Sequence, residues 1–129
     1  MTSRSRSTSA ALTAGIDVVL VLIFATIGRA SHERGLSALG ILETAWPFLA
    51  AWGIGWLALR AWRAPDAVLR TGVPLWIITV AGGMLLRAVT GAGTALPFVI
   101  VATLTLLLLL VGSRLVAALI RSRRAASTR

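Results

Sequence analysis

The sequence contains no cysteine and a single histidine. Without cysteine, the chain can form no disulfide, no thiolate metal site and no thiol nucleophile. One imidazole does not build a zinc or iron site, because such sites take several nitrogen or sulfur ligands. The sequence also shows no glycine-rich phosphate loop and no nucleophile–base pair. We therefore expect no metal and no cofactor, and the sequence predicts a protein that is not an enzyme.

Negative charge is scarce and lysine is absent. Four acidic residues stand against thirteen arginines, which gives a formal net charge of +9. A basic balance of this size can indicate nucleic-acid binding. Here, however, the arginines stand at the ends of apolar runs, a position typical of topology signals and of contacts with anionic lipid headgroups. The pattern therefore predicts a lipid bilayer as the partner and no nucleic acid.

Apolar residues make up 57% of the 129-residue chain, and the mean hydropathy is +0.89. A helix needs about 20 mostly apolar residues to cross the hydrocarbon of a bilayer. Since Arg70 and Arg87 lie close together, the third run is short. We expect it to continue to about Thr90, with the Arg87 guanidinium reaching up to the headgroups. The predicted spans are about 10–28, 39–60, 71–90 and 95–120.

Helices are expected because hydrocarbon offers the backbone no hydrogen-bond partner, so each segment must satisfy its own peptide groups. A barrel would need alternating apolar and polar residues, and the run "TLTLLLLLVG" has no such alternation. The predicted fold class is an all-α integral membrane four-helix bundle over 10–120. The polar segments 1–9 and 121–129 are expected to be disordered.

The arginines also predict an orientation. Nine of them fall in the N-terminal segment, the connection between spans two and three, and the C-terminal tail, whereas three fall on the opposite side. Loops rich in arginine stay in the cytoplasm. The sequence therefore predicts a multi-pass protein of the cell inner (plasma) membrane with both termini cytoplasmic.

Two charged residues lie deep inside spans, about two turns from the nearest span end. Asp17 stands about seven residues from the cytoplasmic start of the first span, and Arg114 stands about seven residues before the cytoplasmic end of the fourth; at a rise of about 1.5 Å per residue, both lie roughly 10 Å deep. Charges at this depth usually face protein and have partners. We predict an Asp17–Arg114 ion pair.

A second polar layer is predicted at the opposite, outer end. Glu43 lies near the outer end of the second span, and we expect it to pair with Arg87 or Arg29. His32 lies in the first outer connection. Two interpretations stay open for both layers: the charges form a proton or substrate path, or they are structural pairs that fix how the helices pack.

The two halves of the sequence echo each other weakly. Each half has an arginine at the end of a helix, a glycine-containing connection, and then Pro-Phe at the start of the next helix, at Pro47-Phe48 and Pro97-Phe98. Helix pairs repeated in the same orientation would give this pattern. The spacing differs between the halves, so chance remains the alternative.

Several motifs together resemble one family. They are Asp17 in the first span and the segments "FATIGRASH" at 24–32, "TAWPF" at 44–48, "WIITVAGGMLLR" at 76–87 and "GAGTALPFVIVA" at 91–102. On these residues the chain resembles the domain-of-unknown-function 3054 family of small membrane proteins, from about residue 11 to residue 115. The resemblance implies a multi-pass membrane protein and supplies no catalytic residues.

Two functional hypotheses follow. The first is a small transporter or permease-like protein, in which Asp17 is the titratable group and Glu43 and Arg87 form the outer gate. So short a chain would need a homodimer to enclose a path. The second is a non-catalytic membrane assembly or envelope partner, held together by structural ion pairs. The cargo or protein partner is not specified by the sequence.

Overall fold

The computed structural model describes residues 3–31 and 35–127, and within them the side chains of 9–30 and 35–127. The predicted all-α class is confirmed, with no strand among the described residues. The helices are α1 (Ser3–Ser31), α2 (Ala38–Ala58), α3 (Val73–Val89), α4 (Leu96–Leu106) and α5 (Gly112–Ser127). A 3-10 helix (Ala61–Arg63) and two π-helical turns (Val68–Gly72 and Leu107–Val111) join them.

Four helical stretches are long and apolar enough to cross a membrane: Ser9–Ala30, Ala38–Ala58, Val68–Val89 and Leu96–Ser127. Large apolar side chains cover the outside of the bundle, where Leu57, Leu104 and Leu108 are 60% or more exposed. Contiguous apolar surface of this kind is rare in soluble monomers and marks a surface that meets lipid or protein. The exposure therefore agrees with the predicted membrane protein.

The third helix continues through Arg87 to Val89 with Thr90 as its C-cap, as predicted, and the span begins three residues earlier than predicted. The π turn Val68–Gly72 runs directly into α3, so the span covers 22 residues from Val68 to Val89. At the other end, Arg87 does not reach up to headgroups but lies 7% exposed under the following connection. Arg87 is held there because its guanidinium donates hydrogen bonds to the carbonyls of Ala92 and Gly93.

The described parts of the end segments, 3–9 and 121–127, are helical, which differs from the prediction of disorder. Helix α1 already begins at Ser3, and α5 continues to Ser127. Neither segment contains a glycine or proline to stop a helix. Extending an existing helix costs far less than nucleating one, and arginine, which both segments contain, is a good helix former.

The four spans pack as a ring in which each touches the next and the fourth touches the first. We call the end with the α1–α2 and α3–α4 connections the loop end, and the opposite end the terminal end. All three phenylalanines of the chain meet near the loop end. The rings of Phe24 and Phe48 pack edge to face with centroids 5.0 Å apart, and Phe98 lies 6.1 Å from both. This phenylalanine cluster is the centre of the apolar core.

The α2–α3 contact depends on glycine. A Cβ on Gly83 would lie 2.3 Å from the Phe48 ring, and one on Gly82 would lie 2.8 Å from the Cβ of Ala51. The buried face of α2 is formed by Gly40, Thr44, Ala45, Pro47, Phe48, Ala51 and Gly55. Small residues let helix backbones approach closely in lipid, where packing rather than the hydrophobic effect holds helices together.

We expect Gly83→Ala to lower the melting temperature of the detergent-purified protein markedly. The added methyl overlaps the Phe48 ring, and overpacking of this kind costs about 1–3 kcal/mol. Gly53→Ala is the matched control, because Gly53 also lies inside a spanning helix, α2, but nothing lies within 4 Å of a Cβ there. Equal melting temperatures for the two variants would contradict this account of the α2–α3 contact.

Candidate functional site

The predicted Asp17–Arg114 ion pair is confirmed, and it is bidentate. Arg114 Nη1 lies 3.0 Å from Asp17 Oδ1, and Nη2 lies 2.7 Å from Oδ2. The two residues are 0% and 2% exposed. Parallel N–H···O bonds between a guanidinium and a carboxylate combine charge attraction with fixed geometry. The pair therefore joins the first and fourth spans, as the sequence predicted.

Further hydrogen bonds surround the pair. Trp52 Nε1 donates to Asp17 Oδ2 at 3.0 Å. Arg114 Nε donates to the Pro65 carbonyl, and Arg114 Nη1 donates also to the Leu110 carbonyl, both at 2.9 Å. A buried charge is tolerated when its remaining donors and acceptors are satisfied in this way. The network ties α1, α2, the α2–α3 connection and the fourth span together.

Both π-helical turns lie beside this network. Leu107–Val111 precedes Arg114 in the fourth span and supplies the Leu110 carbonyl. Val68–Gly72 brings Gly72 against the Arg114 side chain, where a Cβ would lie 2.8 Å from Cδ. Short π-helical segments within helices occur frequently at functional sites. Irregular helical turns thus lie on two sides of the Asp17–Arg114 network.

A second polar site lies at the loop end. A cavity of about 150 Å³ is lined by Gly28, Arg29, Thr44, Arg87, Ala92, Gly93, Ala95 and Phe98. We call it the two-arginine pocket. The Arg87 guanidinium lies over the Phe98 ring, 4.2 Å from its centroid, a cation–π contact. Arg29 Nη1 lies 3.5 Å from Thr44 Oγ1. The phenylalanine cluster forms the floor of the pocket through Phe98.

Each arginine of the pocket is held by the same type of hydrogen bond. Arg29 Nε donates to the carbonyl of Gly35, and Arg87 Nε donates to the carbonyl of Gly93, each at 3.0 Å and each six residues further along. The acceptors Gly35 and Gly93 have φ of +79° and +89°, a region that glycine adopts without strain. Each half of the chain therefore has an arginine that binds a glycine carbonyl six residues further along the chain.

The remaining predicted residues fall in different places. Glu43 is exposed and joins neither of the two ion pairs that the structure gives for residues 9–30 and 35–127. Its predicted partners Arg29 and Arg87 line the pocket, which Glu43 does not. The α2 face that carries Glu43 points outward because Thr44 and Phe48 occupy the inner face. His32 lies outside the described residues.

Three further polar residues of the interior were not predicted from the sequence. Trp52 donates to Asp17, since an indole N–H that is buried usually needs a partner. Thr44 faces the two-arginine pocket one position from Glu43. Thr79 lies on the buried face of α3, and its Oγ1 is the buried side-chain polar atom without a hydrogen-bond partner in the described part of the chain. No group of three histidine, aspartate or glutamate side chains that suits a metal occurs within the described residues.

We expect Asp17→Asn and Arg114→Gln each to lower stability strongly, by about 3–5 kcal/mol, because each leaves an uncompensated buried charge. The double variant should lose less than the sum of the two. The exposed Asp66–Arg121 pair is the matched control, where the same double-mutant cycle should give about 0–1 kcal/mol of coupling. Melting temperature and monodisperse yield in detergent measure both cycles, and additive losses at Asp17 and Arg114 would contradict the pair's role.

Comparison with known proteins places the chain in a family. No curated protein and no solved structure matches it. A family model described as a protein of unknown function, DUF3054, matches residues 14–117, a range that runs from α1 to α5. The match covers most of the chain and includes Asp17, Arg114 and every described residue of the two-arginine pocket. The chain therefore belongs to the DUF3054 family, the family that its motifs resemble.

Proposed function

We propose that this protein is a small permease-like membrane protein, not an enzyme, in which a cargo passes between the two-arginine pocket and the Asp17–Arg114 network. The observation that carries the proposal is the placement of two polar sites at opposite ends of one apolar bundle. Polar residues in spans face the bundle interior or a water-filled cavity and often mark a substrate or ion path. A path through the membrane needs such groups at both ends.

One face of α3 connects the two sites. Its buried residues are Leu75, Thr79, Gly83 and Arg87. Arg87 belongs to the two-arginine pocket, and Gly72, just before α3, touches Arg114. Thr79 lies about 12 Å along the helix from Arg87 and about 10 Å from Gly72. Its hydroxyl, fully buried and without a partner, offers a polar contact midway between the two sites.

In this proposal the bundle is closed at both ends. The phenylalanine cluster closes the path beneath the pocket, and the ion pair closes it at the terminal end. The terminal end opens when Asp17 and Arg114 separate. The π turns beside Arg114 and Gly72 are the places where the helices bend. The short chain works as a homodimer in the plasma membrane, with both termini in the cytoplasm.

A second function has its own supporting observation. The Asp17 carboxylate accepts three bonds, and every nitrogen of Arg114 takes part in a hydrogen bond. A network this complete also suits a non-catalytic assembly or envelope partner whose charges fix the helix packing. In that protein the path along α3 would never hold water.

The absence of cysteine permits a direct test of the path. We expect Thr79→Cys, introduced as the single cysteine, to react with a membrane-impermeant, charged maleimide in proteoliposomes. Thiols react with maleimides as thiolates, which form only where water reaches them. Ile77→Cys is the matched control, since Ile77 lies on the same helix but is 53% exposed on the lipid-facing surface. It should stay unlabelled.

Adding Asp17→Asn to the Thr79→Cys chain should raise the labelling rate, because the terminal-end pair is then already broken. Labelling is measured by mass spectrometry of the intact protein. If Thr79→Cys and Ile77→Cys are equally unreactive with and without Asp17→Asn, the permease proposal fails and the assembly protein is favoured.

Orientation is tested with the same chemistry. We expect Thr94→Cys, in the exposed α3–α4 connection, to be labelled in intact cells, and Ser122→Cys, in the basic tail, only after permeabilisation. The physical reason is retention of arginine-rich segments on the cytoplasmic side. The reverse pattern would place both termini outside and overturn the predicted topology.

A further inference from the structure

We propose that the 60–63 turn at the terminal end binds the phosphate group of an anionic phospholipid, the class that phosphatidylglycerol represents. The turn lies between the second span and the third, and both of its arginines, Arg60 and Arg63, are exposed. It belongs neither to the Asp17–Arg114 network nor to the two-arginine pocket, and the inference does not rest on the proposed function. A lipid bound there holds the terminal end of the protein in the headgroup layer.

Arg60 has a backbone conformation that usually belongs to glycine. It follows Leu59, the C-cap of α2, with φ of 50° and ψ of 51°, in the left-handed region where a Cβ is strained. At the same position after α3 the chain has Gly91, with φ of +75°. Arg60 is the non-glycine residue with positive φ in the part of the chain that the structure describes. Because glycine would end α2 without this strain, the arginine points to a function for its side chain.

The turn is fixed to the bundle and keeps its two arginines close together. The Arg63 N–H donates to the Arg60 carbonyl at 3.0 Å, and a turn closed by this bond holds the two Cα atoms within about 7 Å. Ala61 is fully buried, and the 3-10 helix that it begins packs against α1 and α2. Further along the connection, the Pro65 carbonyl accepts from Arg114. Two guanidinium groups at this spacing can reach the oxygens of one phosphate, each with two N–H groups.

The positive charge of the turn is not balanced by the acidic residue that follows it. Asp66 is paired with Arg121. Within residues 9–30 and 35–127, neither Arg60 nor Arg63 takes part in an ion pair. Two positive charges held close together repel each other, and an anion between them removes that repulsion. The electrostatics of the turn therefore favour an anionic ligand.

The position of the turn indicates that this anion is a lipid headgroup. Arg60 lies two residues past the span Ala38–Ala58, at the level where the headgroups border the hydrocarbon. Trp62, between the two arginines, is 43% exposed, and tryptophan is enriched at this level of membrane proteins. Leu57 and Leu69, before and after the turn, are 67% and 82% exposed, which suits the acyl chains of the same lipid. Clustered arginines beside a span select anionic headgroups over zwitterionic ones.

The test is native mass spectrometry of the full chain, released from nanodiscs that contain equal amounts of phosphatidylcholine and phosphatidylglycerol. We expect the wild-type protein to retain phosphatidylglycerol selectively. Arg60→Gln and Arg63→Gln should each lower the retained fraction by about fivefold, since each removes one charge that faces the phosphate. Arg124→Gln is the matched control, because it removes the same charge from an exposed residue of α5 at the same end, and it should leave the retained fraction unchanged.

Arg60→Gly separates a loss of lipid from a loss of fold. Glycine adopts the left-handed conformation without strain, so this variant should melt a few degrees above the wild-type protein in phosphatidylcholine nanodiscs. The wild-type protein should melt at a higher temperature in phosphatidylglycerol than in phosphatidylcholine, because a bound lipid stabilises the folded state. Arg60→Gly should show no such shift. If Arg60→Gly melts below the wild-type protein in phosphatidylcholine, the arginine serves the fold and the proposal is overturned.

Two further outcomes would also contradict the site. Equal losses of phosphatidylglycerol in Arg60→Gln and Arg124→Gln would mean that the net charge of the chain attracts the lipid, without a site at the turn. Release of the retained phosphatidylglycerol by millimolar inorganic phosphate would assign the turn to a free ion and overturn the lipid. Each of these outcomes concerns the turn alone, so each is distinguishable from a failure of the permease proposal in the thiol-labelling experiments.

Discussion

The need to neutralise charge inside an apolar bundle dominates the terminal end of this protein. Asp17 and Arg114 are both buried, and neither tolerates hydrocarbon without a partner. Their bidentate contact brings the first and last spans together, and Trp52 and Pro65 complete it from α2 and the following connection. Because breaking one partner leaves the other uncompensated, this contact selects one arrangement of the four helices over alternatives in which the charges are apart.

At the loop end, aromatic and small residues replace charge as the organising contact. Phe48 fits against Gly83, and Phe98 packs between Phe24 and the Arg87 guanidinium. Since the surrounding lipid is as apolar as the core, close packing has to supply what the hydrophobic effect supplies in water. The same packing lies between the two-arginine pocket and the Asp17–Arg114 network, so the polar groups at the two ends are not in contact in this structure.

The fold could be predicted from the sequence because it depends on quantities that are read along the chain, without knowledge of three-dimensional contacts. Span length and hydropathy predict the four helices, and counting residues from the span ends was enough to pair Asp17 with Arg114. Rotation of a helix about its own axis is harder to predict. Glu43 was expected to face Arg87 or Arg29, but Thr44 and Phe48 fill the inner face of α2 and turn Glu43 outward. The conformation of the connections could not be predicted either. Arg87 binds the Gly93 carbonyl because Gly93 has a positive φ, and hydropathy does not indicate backbone conformation.

The bond from Arg87 to the carbonyls of Ala92 and Gly93 has a mechanical consequence. It fastens the α3–α4 connection to the last turn of α3, so that connection behaves as an extension of the helix and not as a flap hinged on it. Widening the opening of the two-arginine pocket would then require α3 or a neighbouring helix to tilt or slide as a rigid body. The α3–α4 connection would move together with α3. Such a shear motion would be transmitted down the rod toward Gly72 and the guanidinium it touches, which couples a change at one membrane face to the other.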